Sequence, residues 1–127
     1  MLYRGTTPYH SFTLPLNAED ITEIYITYMQ NNNIIIEKSI DDITLENIDN
    51  TEDSMIEFNI DNSTSIESAC TATVHLTQED TLGFKFWPAA EKNIAVIQIR
   101  ILDDNGEAYV SEPIHERIYG ALKEGVI

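Results

Sequence analysis

The stretch that most constrains this chain is Asn93 to Glu112, NIAVIQIRILDDNGEAYVSE. Two β-rich runs meet in it at Asp103-Asp104-Asn105-Gly106. Asn-Gly between alternating apolar runs is the strongest short-range hairpin signal, because a type I′ turn needs positive φ at both central residues. With Asn105 and Gly106 as that central pair, Ile101 is expected to face Val110, and Leu102 to face Tyr109. Ala95, Ile97, Ile99 and Ile101 then share one face, with Gln98 and Arg100 on the other. The hairpin has a buried side and a wet side.

The same grammar recurs along the chain. Ile21 to Gln30 is rich in β-branched and aromatic residues, with Ile24, Ile26 and Tyr28 on one face and Tyr25, Thr27 and Met29 on the other. Asn31-Asn32-Asn33 predicts a turn, since Asn tolerates left-handed backbone best after Gly, and Ile34 to Ile40 returns as a strand. His10 to Leu14 alternates and stops at Pro15, and Asn17 opens a connection with one helical turn. Ala69 to Leu76 alternates again. Thr77 with Asp80 three residues on resembles a capping box, which predicts a short helical turn near residues 77–83. Ile114 to Tyr119 predicts a last strand, with Ile114 and Ile118 inward. Between Asp41 and Ser68 the composition shifts to acids and Asn, with short strands expected around Ile43–Leu45 and Met55–Ile60. Inserted structure would fall in this segment, 41–68.

About seven to nine short strands with almost no helical periodicity predict an all-β chain. The pattern fits a β-sandwich or an open barrel, and of these the expectation is a single antiparallel, Ig-like β-sandwich domain over residues 1–127. That length is one domain by the usual size prior and is enough for a core without staples. No run approaches the roughly 18 apolar residues of a membrane span. The N-terminus, MLYRGTTPYHSF, has no apolar h-region, so no signal peptide is expected. The single cysteine, Cys70, precludes an internal disulfide framework and fits a reducing compartment.

Charge is the unusual quantity. Seven Lys and Arg stand against 22 Asp and Glu, a net charge of −15. Such a surface repels phosphate backbones and anionic lipid, so neither nucleic acid nor membrane is an expected partner. Solubility and protection of sheet edges account for the charge, with calcium loops or a basic protein partner as the alternatives.

Each chemical constellation has a structural reading beside it. His10, His75 and His115 are scattered, and Cys70 lies five residues from His75, which in one strand puts the two on opposite faces. A zinc site is therefore poorly supported. Asp103-Asp104-Asn105-Gly106 resembles a fragment of a calcium loop but lacks the bidentate Glu further on, and a hairpin turn explains all four residues. Asp41, Asp42, Asp49, Asp53 and Asp61 show no ordered ligand spacing and read as a solvated face. There is no Gly-x-Ser-x-Gly and no Gly-rich phosphate loop, and no enzyme is expected. No cofactor or metal is expected either. Phe84, Phe86, Trp87 and Tyr109 form the candidate aromatic platform of a carbohydrate-binding module, against the reading that they fill the core.

Five stretches taken in order carry a resemblance: Arg4-Gly5-Thr6-Thr7-Pro8 with Phe12-Thr13-Leu14-Pro15; Leu76 to Leu82, LTQEDTL; Ile97 to Arg100, IQIR; Ala108 to Glu112, AYVSE; and Leu122 to Ile127, LKEGVI. Together they resemble a family of small proteins encoded among the virion structural genes of phages and prophages of Gram-positive bacteria. That family is similar to the N-terminal β-sandwich domain of phage baseplate upper proteins. The middle segment, 41–68, is longer and more acidic than the family pattern. The resemblance implies a non-enzymatic structural or assembly protein of tail, baseplate or neck, placed in the virion or the host cytoplasm. Its partners would be other phage structural proteins or copies of itself, with unpaired strand edges extended by the partner. The candidate contact residues are Leu2, Tyr3, Asp103, Asn105, Gly106, Leu122, Val126 and Ile127, at the two ends and the hairpin tip. The rival is a host-surface sugar-binding module using Phe84, Phe86, Trp87 or Tyr109.

Overall fold

A computed structural model describes residues 2–48, 69–87 and 93–120. Among these the chain forms nine strands: β1 (Leu2–Tyr3), β2 (Tyr9–Leu14), β3 (Ile21–Gln30), β4 (Asn33–Lys38), β5 (Ile43–Asn47), β6 (Cys70–His75), β7 (Ile94–Asp103), β8 (Ala108–Val110) and β9 (Ile114–Tyr119). One short helix, α1 (Gln78–Leu82), and two 3-10 turns complete the described elements. The protein is all-β, as the alternation predicts. The strands divide into two sheets. One has the order β1-β9-β7-β3-β4, with β8 also on β7, and the other is β2-β6-β5. Every pairing is antiparallel except that of β1 with β9, which is parallel.

The inner faces follow from period-two alternation. Ile24, Ile26 and Tyr28 of β3 lie beside Ile97, Ile99 and Ile101 of β7. Leu14, Cys70, Ala72, Val74 and Ile43 come from the smaller sheet into the same cluster. Every one of these residues is buried. Tyr25 and Arg100 lie on the opposite, outer face, with the Arg100 guanidinium 5.2 Å above the Tyr25 ring and 2.9 Å from Glu37. The wet side of the hairpin is thus a surface ion pair and a cation–π contact.

Both hairpins turn where the sequence predicts, but the two-residue primed turn expected at Asn105-Gly106 is found at Asn31-Asn32. At Asn31-Asn32 both residues have positive φ, 53° and 67°, flanked by the pair Gln30 and Asn33. This is the two-residue primed turn. At Asp104-Asn105-Gly106 only Gly106 is positive, at 86°. The Asp103 carbonyl accepts from Gly106 N–H, and Asp103 N–H donates to the Glu107 carbonyl. That is a three-residue loop with its glycine in the left-handed region, and it moves the register by one residue. Ile101 faces Tyr109, and Leu102 faces Ala108, in place of the expected pairs. The cause is Asp103. Its Oδ1 accepts from the N–H groups of Asn105 and Glu107, at 2.9 and 2.8 Å, which holds an Asx turn that the primed geometry would break.

The N-terminal arm is wired to α1. Thr77 and Asp80 form the capping box expected of them. Arg4 Nε donates to the Phe84 carbonyl and Nη2 to that of Leu82, at 2.6 and 3.3 Å. Gly5 N–H donates to Thr81 Oγ1, which donates to the Thr6 carbonyl, and Gln78 donates to the Gly5 carbonyl. Two of the sequence stretches that carry the resemblance are therefore one hydrogen-bonded unit.

Candidate functional site

β8 is the last strand added on its side of the larger sheet, and β2 is the outer strand of the smaller one. Between them lies an apolar groove of about 550 Å³. Phe12 and Leu14 line it from β2, Ile99 and Ile101 from β7, Tyr109 and Val110 from β8. Ile114 closes it at the start of β9 and also borders a smaller groove of about 190 Å³, which continues past Ser11 and Phe12 to His10 and Glu116. The long axis runs with β2, whose six residues span roughly 20 Å.

Backbone register determines what the walls present. Antiparallel partners alternate between hydrogen-bonded and non-bonded pairs. Leu76 N–H donates to the Pro8 carbonyl, so the bonded pairs of β2 continue at His10, Phe12 and Leu14. The N–H and C=O groups of Tyr9, Ser11 and Thr13 point away from β6. On the other wall, Asp103 bonds Glu107 and Ser111 N–H donates to the Ile99 carbonyl, so Ala108 and Val110 turn their backbone groups away from β7. Among the described residues, no strand takes either edge.

β8 is short because the chain leaves the ladder between it and β9. Ser111, Glu112 and Pro113 separate it from β9, and Ser111 Oγ replaces the backbone carbonyl as acceptor for Ile99 N–H, at 2.9 Å. All three residues of Ala-Tyr-Val are exposed, Val110 to 62%. Acids flank them at Glu107 and Glu112. Tyr109 is pinned by its hydroxyl, which donates to Asp103 Oδ2 at 3.1 Å and lies 3.2 Å from Glu107 Oε1. Those acceptors push its phenol up to about 12. Asp103 is held below the usual carboxylate value, first by Glu107 N–H, then by Asn105 N–H and the Tyr109 hydroxyl against some desolvation.

At the far end, the His10 ring shares a 2.6 Å hydrogen bond with the buried Tyr28 hydroxyl and stacks on its ring. Burial lowers the His10 pKa, partly offset by the Glu116 carboxylate. Burial likewise raises the Tyr28 phenol. The groove therefore runs from an apolar end at Leu14 and Tyr109 to a polar end at His10 and Glu116.

The expected contact residues are placed as follows. Leu2 is 1% exposed and packs beside Ile118 in the core, so it is no contact residue. It is the fold-back alternative that the N-terminal arm takes. Tyr3 is exposed and stacks on Tyr119 at 5.1 Å. Asp103 is buried and serves the turn, a correction to its expected role as a contact. Asn105 and Gly106 sit exposed at the tip. Leu122, Val126 and Ile127 lie outside the described residues, as do Asp49, Asp53, Asp61 and the expected strand at 55–60.

The four aromatics do not form one platform. Phe84 is 1% exposed and packs edge-on against Tyr28. Phe86 lies over Gly120, where an added Cβ would come within 2.9 Å of its ring. Trp87 is held by Asn93, whose side-chain amide accepts from Trp87 N–H at 2.8 Å and donates to its carbonyl at 2.6 Å. Tyr109 stands opposite Ile101, four residues along β7 from the Ile97 that faces Tyr28. That is roughly 13 Å of strand. The core accounts for Phe84, and Asn93 fixes the backbone at Trp87.

Cys70 is buried, its thiol pushed up to about 11 by burial, and His75 is on the outer face, stacked on Tyr9 at 4.0 Å. Among the described residues no three His, Cys, Asp or Glu side chains converge. No described helix is long and apolar enough to cross a membrane. The groove is not among the expectations drawn from the sequence; its one signal there is AYV between two glutamates, an apolar edge strand flanked by like charges. No family model, curated protein or solved structure matches the chain at a significant level.

Proposed function

We propose that this protein is a non-enzymatic structural or assembly component of a phage or prophage particle, in its tail, baseplate or neck. It acts by packing against other structural proteins or copies of itself, in the virion or in the cytoplasm of the host that assembles it. The observation that carries the mode of action is the groove between β2 and β8, with an apolar floor and outward-facing backbone groups along both walls. Open apolar edges of this kind bind by accepting another strand. The resemblance of the Arg4–Pro8, Leu76–Leu82, Ile97–Arg100 and Ala108–Glu112 stretches to phage structural proteins supplies the setting.

The test is made on particles. With the gene under inducible control in a lysogen, mass spectrometry of purified particles is expected to find the protein at a fixed copy number, or in a tail intermediate. Its deletion is expected to stop assembly at one stage, visible by electron microscopy. A protein missing from particles and intermediates alike, with normal particles after deletion, removes the reading.

A further inference from the structure

Resting on that reading, we infer that the groove takes an extended segment of a partner chain, added as a strand against β8, with alternate apolar side chains and cationic residues at its ends. Ala108 and Val110 offer the backbone donors and acceptors, since the ladder with β7 uses the intervening Tyr109. A segment paired there has the residue opposite Tyr109 pointing over Phe12, Leu14 and Ile114, because cross-strand neighbours share a face. The residues on either side of it point to solvent, so the occupant alternates. Ser11 and Thr13 turn a second row of backbone donors and acceptors toward the opposite wall, with no described strand paired to them, which suits an extended backbone.

Charge selects the partner. β8 is bracketed by Glu107 and Glu112, Asp104 lies beyond the first, and Glu116 lines the polar end. The chain as a whole carries −15. An acidic segment, or a second copy of this chain, meets repulsion at both ends of the groove, whereas lysine or arginine there meets carboxylates. The natural negative charge thus acts as selection against self-pairing at an apolar edge and as attraction for a basic partner.

The test uses the full chain, isotopically labelled, titrated at low salt with two capped octapeptides, Lys-Thr-Val-Thr-Val-Thr-Val-Lys and the same sequence with glutamate at both ends. The lysine peptide is expected to bind saturably, at least ten-fold more tightly than the glutamate peptide. Amide exchange at Ala108 and Val110 is expected to slow on binding. Glu112→Lys, at an exposed position, is expected to reduce affinity for the lysine peptide at least ten-fold with the melting temperature unchanged. Val110→Pro removes an outward N–H that the ladder does not use, and is expected to abolish the exchange protection. Equal affinity for the two peptides, binding to neither, or binding undiminished in both variants overturns the inference. So does protection of Ala108 and Val110 in the chain alone, which means that another strand already lies there. None of those results bears on whether the protein is found in particles, so the two readings fail separately.

Discussion

Single side chains do here what backbone does elsewhere. Gln30, 3% exposed, donates through Nε2 to the Lys85 carbonyl and accepts through Oε1 from Lys85 N–H, both at 2.8 Å. Asn93 treats Trp87 in the same way. Each amide stands in for a missing strand beside the irregular segment after α1. Removing one leaves a backbone donor and acceptor without a partner, so Gln30→Ala is expected to cost about 1–3 kcal/mol in urea unfolding. Asp103 is the other such residue. Because Glu107 N–H, Asn105 N–H and the Tyr109 hydroxyl favour its charged form, its folded pKa lies below the unfolded one. The stabilisation is then complete above the ordinary carboxylate pKa, about 3.9, and is lost as pH falls through the lower folded value. Asp103→Asn keeps the oxygen acceptor and loses the charge. We expect it to flatten the acid limb of a melting-temperature profile as pH falls through the carboxylate range, and an unchanged limb would assign the acid sensitivity elsewhere. Asp80 contributes with the same sign. Burial raises its carboxyl, but Thr77 and Lys38 together hold it lower.

At the scale of elements, the turns decide where side chains go. Gly106 has open space around its Cβ position, so a substitution there meets only the backbone strain of φ 86°. Gly106→Ala is expected to cost about 1–2 kcal/mol. Asn32→Gly, in the turn that does use two positive φ values, is expected to add a few tenths to about 1 kcal/mol. Asn105→Gly should add nothing, since Asn105 is not left-handed. A gain there on thermal unfolding would mean that the primed turn forms in solution. The same element shows why the register was not legible. Asn-Gly marks a turn wherever it occurs, but whether the loop has two residues or three depended on Asp103 reaching two N–H groups. That preference was local yet invisible to a rule that counts from the Asn-Gly pair.

For the whole molecule, 22 acids against seven bases make self-repulsion part of the stability balance. Raising sodium chloride from near zero to about 0.5 M shortens the Debye length to a few ångströms and is expected to raise the melting temperature. Light scattering behind size exclusion in the same two salts is expected to show the protein alone as a monomer at low salt. A larger species appearing only at high salt would locate the charge as the barrier to edge pairing.

Period-two alternation sufficed to read the all-β class, the apolar faces of β3 and β7 and the opposite-facing Cys70 and His75, and the Thr77–Asp80 spacing sufficed for the short helix with its capping box. These depend on contacts within a few residues, which composition and spacing encode directly. The groove, the burial of Leu2 and Phe84, and the joining of Arg4–Pro8 to α1 depend on which strands become neighbours. Leu2 looks like a loose apolar end until β9 lies parallel beside it. AYV looks like an ordinary return strand until the break at Ser111–Pro113 leaves it facing β2 with no described strand on its outer side. Pairing between segments some 80 residues apart is settled by packing the whole core at once, and no local pattern carries it.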